Sequence, residues 1–409
     1  MPEPTTRRQF LTRAAILAAS APTLGAMLSA CGGGSGPSTA TPTLKLATPD
    51  SPVLWDIPED NKPIADGLAP EKGTLKLYSY ADYVSPDAIK SFEDKYGVTV
   101  EISTFNDGGE ALTKLRSGVD FDIYNANYTE ISRLVNGGLL RPLNHTYIEN
   151  IKNVWPGFTN PWYDQEWRYS VPYTIYTTGI GWRVDQVPED IGAAANPYDS
   201  LWDPRYKGKT AVLDDWHTTM AMVLLRAGIT DINTSSETDL AMVGEQLSAL
   251  VAATSPKVTI TAYNDLPAGQ LGLAAMWSGD IINAQAYLPE GTGPEILRYW
   301  FPADGRGMVD NDMLVTLKGG KNPVLAHLFL NHMLDTEVAM QNFSAIGYQP
   351  PQNSIKPENL VADGFIPENL SSAIVNPDWF DTGYRILELD PANDAAWQNV
   401  WRTFKAGGS

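Results

Sequence analysis

Two aromatic side chains and a carboxylate follow directly after a short segment of alternating apolar and polar residues. Tyr80, Asp82 and Tyr83 are close neighbours in the chain. An aromatic face and a nearby carboxylate suit an organic ammonium group, because the ring quadrupole and the anion both stabilise a cation. The alternative is a capped turn whose tyrosines cover the end of a sheet. The residues alone leave both interpretations open.

Polar side chains also follow two further predicted strands. Asn127, Tyr128 and Thr129 offer polar contacts after one of them, although Thr129 could instead cap the next helix. Asp214 and Asp215 follow a strand in the second half of the chain. Because adjacent side chains point in different directions, one carboxylate could cap a helix while the other faces a ligand.

Two more segments combine carboxylates with other functional groups. Trp277 and Asp280 close a predicted buried strand, and the alternative for Trp277 is a place in the core. Asp310 and Asp312 are expected to precede a strand at residues 313–317 and resemble part of a calcium loop. The rest of that loop pattern is missing, which disfavours a metal site.

The sequence offers no recognisable enzyme or cofactor motif. We find no nucleophile elbow, phosphate-binding loop, zinc-protease motif or dinucleotide-binding glycine pattern. The four histidines lack the paired spacing of metal ligands and are interpreted as structural or surface residues. They are His145, His217, His327 and His332. We therefore expect a protein that is not an enzyme and binds no cofactor or metal.

Strand and helix patterns alternate along the chain and would position these residues. Ser85 and Pro86 predict a helix start, and Gly97 predicts its end. Strands are expected at 75–80, 98–103, 121–124, 210–213, 271–277 and 313–317, and further helices at 110–116, 130–135, 218–227, 237–253 and 323–334. This alternation favours a largely parallel sheet with helices on both faces, in which ligands bind beyond the carboxyl ends of the strands.

Composition limits the possible partners and suggests the number of lobes. The 409 residues carry a formal net charge of −19, which becomes −21 without residues 1–30, since these hold three arginines and one glutamate. Such acidity disfavours nucleic acid as a partner and mildly favours cationic ligands. The chain is too long for one hydrophobic core, so we expect two α/β lobes. With a single cysteine, no internal disulfide can form.

The N-terminal segment has the composition of an export signal. Arg7 and Arg8 form a twin-arginine pair before an uncharged stretch at residues 14–30, which is short for a spanning helix. The residues leading to Cys31 resemble the lipobox of bacterial lipoproteins, which implies that residues 1–30 are a signal peptide and that Cys31 carries lipid. The alternative is an N-terminal anchor helix with an incidental cysteine.

Residues 31–73 are interpreted as a lipidated flexible tether followed by an extended arm. Residues 32–43 contain only Gly, Ser, Thr, Pro and Ala, a composition that cannot bury a core. Proline and aspartate are frequent in the following residues, with scattered apolar side chains, so we expect this part to lie on one lobe. Under the lipoprotein interpretation, the protein is attached at the outer side of the cytoplasmic membrane or in the periplasm.

The chain resembles the spermidine/putrescine-binding proteins of bacterial ABC importers from about Leu75 to its C-terminus. The segments that carry the resemblance are 75–84 (LKLYSYADYV), 170–173 (SVPY), 201–208 (LWDPRYKG), 276–279 (MWSG) and 346–351 (IGYQPP). The resemblance implies an α/β, two-lobed periplasmic-binding-protein type II fold with a hinge and an interlobe cleft that holds a polyamine. One lobe would comprise 74–178 plus 310–347, and the other 179–309 plus 348–409.

The resemblance also implies ligand contacts at particular positions of this sequence. They are the aromatic residues Tyr80, Tyr83, Trp277 and Tyr348, the carboxylates Asp82, Asp215 and Asp312, and the small polar residue Asn127. Two positions depart from the family pattern, because Thr218 stands in place of a glutamate and Asp310 in place of a tryptophan. One acidic contact is thereby lost, and Asp310 becomes a candidate for a new one.

The leading hypothesis is a lipoprotein that captures a polyamine and delivers it to an ABC permease. Closure would bend the chain near residues 178–181, residues 307–310 and Tyr348. A second hypothesis is a binding protein for another solute, such as a quaternary amine, an amino-acid-like amine or a sugar. A third is a secreted hydrolase that uses paired carboxylates.

Overall fold

The computed structural model describes residues 45–106 and 108–408. The predicted signal peptide, Cys31 and the predicted tether lie outside the described residues. In the described chain, the strands are β1 (Thr74–Tyr80), β2 (Thr99–Phe105), β3 (Ile123–Asn127), β4 (Ser170–Arg183), β5 (Thr210–Val212), β6 (Lys257–Val258), β7 (Leu273–Trp277), β8 (Leu297–Trp300) and β9 (Met308–Thr316).

Helices alternate with these strands, as the sequence predicts. They are α1 (Pro86–Tyr96), α2 (Gly108–Arg116), α3 (Ile131–Asn136), α4 (Trp216–Arg226), α5 (Glu237–Thr254), α6 (Ala262–Asp265), α7 (Ser278–Asn283), α8 (Pro323–Met333), α9 (Thr336–Ile346), α10 (Pro357–Ala362), α11 (Trp379–Thr382) and α12 (Pro391–Gly408). Short 3-10 helices occupy many of the connections.

The signals that mark the first helix act as expected. The Ser85 side chain accepts a hydrogen bond from the backbone N–H of Asp87, and Pro86 occupies the first turn, where its missing N–H costs nothing. Gly97 ends the helix in the left-handed conformation, with a φ of 65°. The helix therefore starts at the end of the loop that follows Tyr80 and carries Asp82 and Tyr83.

The strands form one mixed sheet in the order β2-β1-β3-β9-β4-β7-β5-β6, and β8 pairs with β4. Parallel ladders join β1 to β2 and β3, and join β5 to β6 and β7. In contrast, β4 and β9 run antiparallel to every strand with which they pair. The prediction of a largely parallel sheet is therefore wrong for the centre of the sheet.

The sequence pattern missed β4, although all 14 of its residues are buried. Pro172 lies at an irregularity in its pairing with β9, and two glycines interrupt its apolar pattern. These glycines allow close packing, since a Cβ at Gly179 would overlap the carbonyl oxygen of Trp300, and one at Gly181 would overlap the sulfur of Met276.

The acidic segment at 310–312 is also placed differently from the prediction. Asp310 and Asp312 do not precede a strand but lie inside β9, opposite Tyr176 and Thr174 of β4. Because alternate residues of a strand share a face, both carboxylates are on one side of the sheet and Asn311 is on the other.

Two groups of buried apolar residues form the interior. Ile175 of β4 and Val309 of β9 belong to the first group, whereas Ile180 and Met308 belong to the second. The two longest strands thus pass from one hydrophobic group into the other. Among residues 45–106 and 108–408, no helix combines the length and apolar character that crossing a membrane requires.

The described residues before β1 lie against the globular chain. Trp55 is buried and its indole N–H donates to the carbonyl of Tyr163 at 2.8 Å. Asn61 Nδ2 donates to the carbonyl of Leu140 at 2.8 Å, and the Glu71 carboxylate accepts from backbone N–H groups in the first turn of α8. These contacts all involve the connections before β4 and the start of α8.

Candidate functional site

A cavity of about 250 Å³ lies at the carboxyl ends of β1, β3, β5 and β7. This is the edge at which open α/β sheets bind ligands. All nine sequence-predicted ligand residues line it, namely Tyr80, Asp82, Tyr83, Asn127, Asp215, Trp277, Asp310, Asp312 and Tyr348. The fold therefore brings together residues that are up to 268 positions apart in the chain.

Asp312 is a buried carboxylate held by three donors. The hydroxyl of Tyr83 donates to Oδ2 at 2.8 Å, while Asn127 Nδ2 and the hydroxyl of Tyr176 donate to Oδ1 at 3.0 and 3.3 Å. Burial raises the pKa of Asp312 to about 6, although these hydrogen bonds oppose the shift. The carboxylate is therefore mostly ionised at neutral pH, in a fixed orientation.

Five aromatic residues, Tyr80, Tyr83, Tyr176, Trp277 and Tyr348, form an aromatic wall beside Asp312. The rings of Tyr83 and Tyr176 meet the ring of Tyr348 edge to face, with centroids 4.9 and 5.7 Å away. Trp277 contacts Tyr176 and Tyr80 contacts Tyr83 in the same manner. Both Tyr80 and Trp277 are only partly buried, which leaves part of their surface to the cavity.

Asp280 is a second buried carboxylate at the aromatic wall, and the predicted site did not include it. It is 4% exposed, and the hydroxyl of Tyr348 donates to its Oδ1 at 2.8 Å. Among the residues that the structure describes, no group hydrogen-bonds to its Oδ2, and burial raises the pKa of Asp280 to about 7. Its position in the first turn of α7, three residues after Trp277, was the available sequence signal.

Tyr176 was missed for a different reason. It lies in the middle of β4, which the sequence pattern did not identify as a strand. Its hydroxyl contacts both Asp312 and Asn127, and its ring lies between Trp277 and Tyr348.

Asp215 combines the two roles that the sequence left open. Its Oδ1 accepts from the backbone N–H of Thr218 at 2.8 Å and caps α4, and the residue also lines the cavity. Asp214 forms an ion pair with Lys405 at 2.8 Å. The neighbouring His217 stacks on Trp216, and burial lowers its pKa to about 3, so it is neutral at physiological pH.

Asp82 follows β1 on the exposed side of the cavity, with a φ of 53°. Such a backbone conformation is uncommon for a residue with a side chain. The pKa values of Tyr263 and Tyr287 are raised, mainly by burial and secondly by the negative charge of Asp82. Its field therefore reaches residues from the second half of the chain.

Asn127 both caps a helical turn and contacts the site. Its Oδ1 accepts from the backbone N–H of Thr129, while its own N–H donates to Glu130, forming a capping box. One interpretation of the sequence made Thr129 the helix cap, but Asn127 takes this role instead. Burial raises the pKa of Glu130 to about 7.

Asp310 lines the cavity but is also bound from within the protein. The hydroxyl of Tyr128 donates to its Oδ1, and Arg385 Nε lies 3.9 Å from the same atom. Burial raises the pKa of Asp310 to about 6, while the charge of Arg385 opposes the shift. Asp310, at the position where the resemblance implies a tryptophan, therefore has a cation of the protein itself beside it.

The cavity lining is strongly acidic. The lining contains nine carboxylate residues, Asp82, Glu130, Asp214, Asp215, Asp280, Asp310, Asp312, Glu388 and Asp394. Within the described chain, Arg133 is the one lysine or arginine in the lining, and it pairs with Glu388 and Asp394 at 3.0 and 3.1 Å. The arrangement attracts a cationic ligand and opposes an anionic one.

The fold and the site together define a class of protein. Two α/β halves are connected by long crossing strands, and a cavity lies between segments of both halves. This is the two-lobed periplasmic-binding-protein type II fold, and the predicted fold class is confirmed. Proteins of this class bind solutes, and a solute-binding role follows for this chain.

The chain belongs to the bacterial extracellular solute-binding protein family, whose model matches residues 87–365. It is 26% identical over 354 residues to a putrescine/cadaverine-binding protein of Pseudomonas aeruginosa, covering 83% of this chain and 95% of that protein. It is also 26% identical over 314 residues to the spermidine/putrescine-binding periplasmic protein of Escherichia coli, covering 76% and 85%.

A solved structure agrees with the fold. The spermidine/putrescine ABC transporter substrate-binding protein of Streptococcus pneumoniae superposes with a TM-score of 0.65 at 24% identity, covering 83% of this chain and all of that chain. The resemblance found in the sequence is thus confirmed at the level of the family and the fold.

Proposed function

We propose that this protein captures a polyamine such as putrescine or spermidine and delivers it to an ABC permease. The observation that supports the proposal is the pair of buried carboxylates, Asp280 and Asp312, at the aromatic wall. Neither has an ion-pair partner within the described chain. Because a buried carboxylate is costly without a compensating charge, a ligand with two ammonium groups supplies what both lack.

The contacts of the aromatic wall connect the two carboxylates. Tyr83 donates to Asp312 and Tyr348 donates to Asp280, and the two tyrosine rings are 4.9 Å apart between centroids. A methylene chain can pack on these rings while its terminal ammonium groups approach the carboxylates. Asp82 and Asp215 add negative charge at the cavity wall.

The acidic lining distinguishes between solute classes. A neutral sugar would leave Asp280 and Asp312 uncompensated, and an anion would be repelled by the nine carboxylate residues. A quaternary amine would satisfy one carboxylate but could not donate hydrogen bonds to it. The names of the P. aeruginosa and E. coli relatives, which bind putrescine, cadaverine or spermidine, support a polyamine over these alternatives.

We further propose that the cavity closes by rotation of two lobes, 74–178 plus 310–347 and 179–309 plus 348–409. The crossings at 178–181 in β4 and 307–310 at the start of β9 fall where these strands pass between the two hydrophobic groups. Tyr348, in the third crossing, contacts Asp280 on α7. Bound ligand would favour closure only through the contacts that it gains in the closed state.

Lipidation of Cys31 and export through the twin-arginine signal complete the proposal. The two acyl chains would hold the protein at the membrane, and the tether would let the binding lobes reach the permease. Fatty-acid labelling of cells that express the full chain tests this step. Labelled wild-type protein and unlabelled Cys31→Ser would support it, and equal labelling of both would contradict it.

Calorimetric titration of the purified protein tests the ligand class. Putrescine and spermidine should bind, and choline and a neutral sugar should not. Asp215→Asn should weaken polyamine binding by about tenfold to a hundredfold, because it removes a cavity charge while an amide oxygen can still cap α4. Asp120→Asn is the control, since Asp120 is exposed and outside the cavity.

The contrary outcomes are equally specific. Binding of choline or a sugar without binding of polyamines would replace the proposed ligand. Unchanged spermidine affinity in Asp215→Asn would remove Asp215 from the site. Mass spectrometry of small molecules that copurify with the protein would identify the ligand independently.

A further inference from the structure

Arg385 is a buried cation next to the cavity, in the segment between α11 and α12. Its side chain is 11% exposed and its Nη2 donates to Asn311 Oδ1 at 2.7 Å. Its Nε lies 3.9 Å from Asp310 Oδ1. Asp310 lines the cavity, but Arg385 does not, so the arginine stands behind the carboxylate as seen from the cavity.

Aromatic rings surround the guanidinium of Arg385. Its central carbon lies 4.4 Å from the ring centroid of Tyr128, 5.0 Å from that of Phe380 and 5.9 Å from that of Trp162. Rings and a carboxylate around one cation are the same chemistry that the cavity offers to an ammonium ligand. Here the chain itself supplies the cation.

We infer that Arg385 is a specificity-determining residue, which occupies the cation subsite at Asp310 from inside the protein and makes the cavity prefer a diamine over a triamine. The inference rests on the proposed polyamine function. Asp310 is then the counter-ion of Arg385, while Asp280 and Asp312 remain for the ligand.

The charges of the described residues support the assignment of Asp310 to Arg385 and of Asp280 and Asp312 to the ligand. Asp310 is the one of these three carboxylates that has an arginine or lysine within 4.0 Å in the described chain. A third ammonium group placed at Asp310 would also approach the Arg385 guanidinium, and like charges repel strongly where water is excluded. A triamine therefore gains little from its third charge, whereas a diamine leaves the Arg385–Asp310 pair undisturbed.

The test compares putrescine and spermidine affinities of wild-type protein and Arg385→Gln by calorimetry at about pH 8, where Asp310 is ionised. Wild type should bind putrescine more tightly. Arg385→Gln frees Asp310 for a third ammonium group, so the ratio of the spermidine to the putrescine dissociation constant should fall by about tenfold. The double variant Asp310→Asn/Arg385→Gln should restore the wild-type preference for the diamine, since it also removes the carboxylate that would bind the third ammonium group.

Arg226→Gln is the matched control. Arg226 lies 4.1 Å from the ring centroid of Trp202 and pairs with Asp199 at 2.8 Å, but it is outside the cavity lining. This variant should keep the wild-type ratio. If Arg385→Gln does not fold, the double variant remains informative, because it leaves no unpaired charge at the subsite.

Three results would overturn the inference. They are an unchanged ratio in folded Arg385→Gln, the same change in Arg226→Gln, and tighter binding of spermidine than of putrescine by the wild-type protein. Failure of the proposed function is distinguishable from these, since wild-type protein would then bind neither putrescine nor spermidine. In that case the ligand would be identified by mass spectrometry of copurifying solutes and not by the Arg385 variants.

Discussion

Replacing Asp280 by asparagine should stabilise the ligand-free protein and weaken polyamine binding. Burial raises the pKa of Asp280 from 3.8 to about 7. Each step of one in pKa corresponds to about 1.4 kcal/mol, so keeping this carboxylate ionised at about pH 8 costs the folded protein about 4 kcal/mol relative to the unfolded chain. Asparagine carries no charge and keeps an oxygen for the hydroxyl of Tyr348.

The sign of the stability effect follows from the direction of the shift. The folded protein binds the Asp280 proton more strongly than the unfolded chain does, so the contribution to stability is complete below about pH 4 and is lost as the pH rises through about 7. At about pH 8, Asp280→Asn should therefore recover about 2–4 kcal/mol and raise the unfolding temperature. Near pH 4 the difference from wild type should disappear.

The effect on binding has the opposite sign. An ammonium group beside Asp280 compensates the buried charge, and asparagine cannot attract it in this way. Putrescine affinity at about pH 8 should fall by about tenfold to a hundredfold. Thermal unfolding without ligand and calorimetric titration with putrescine measure the two effects on the same sample.

Asp94→Asn provides the control, because Asp94 is an exposed residue of α1 that pairs with Lys90. It should change neither the unfolding temperature nor the affinity appreciably. If Asp280→Asn lowered the unfolding temperature at about pH 8, the buried charge would not be a cost. If its affinity stayed within about threefold of wild type, Asp280 would not hold an ammonium group.

Three further predictions concern acidity, the aromatic wall and the arm. Polyamine affinity should fall by at least about tenfold between about pH 8 and pH 5, because the pKa of Asp312 is about 6 and bound cations favour the ionised form; a flat calorimetric profile over this range would contradict this. Trp277→Ala should weaken putrescine binding by about tenfold, as calorimetry would measure, through loss of an aromatic face; unchanged affinity would remove Trp277 from the ligand surface. Trp55→Ala should cost about 3–5 kcal/mol of unfolding free energy, since it empties a buried position and leaves the Tyr163 carbonyl without its donor; an unaltered denaturation midpoint would show that the arm adds no stability.

The sequence by itself predicted the local structure and the residue types of the site. Ser85, Pro86 and Gly97 delimit α1 because capping and backbone conformation depend on neighbours in the chain. Of the strands in the parallel ladders, β1, β2, β3, β5 and β7 were predicted from their apolar runs and flanking helices, whereas the two-residue β6 was not. The strand β4 was not predicted either, because Pro172 and its glycines are typical of a loop and are accommodated in a strand only by close packing against other strands.

For the ligand residues, the sequence identified the positions, and the tertiary structure decided what each residue does. Resemblance to a family identified eight positions, the departure at Asp310 added a ninth, and the fold brings all nine to one cavity. The charge state and role of each carboxylate were decided only by the tertiary structure. Asp215 caps α4, Asp280 is desolvated beneath Tyr348, and Asp310 faces Arg385, which is 75 positions away in the chain.

The physical reason is the range over which each effect acts. Helix caps and turns depend on groups a few residues apart, and so they can be read along the chain. Burial and Coulomb interactions depend on distances in space and on the exclusion of water, which no local pattern encodes. The sequence thus determined that carboxylates and aromatic rings follow the strands, and the fold decided which of those carboxylates remain for a ligand.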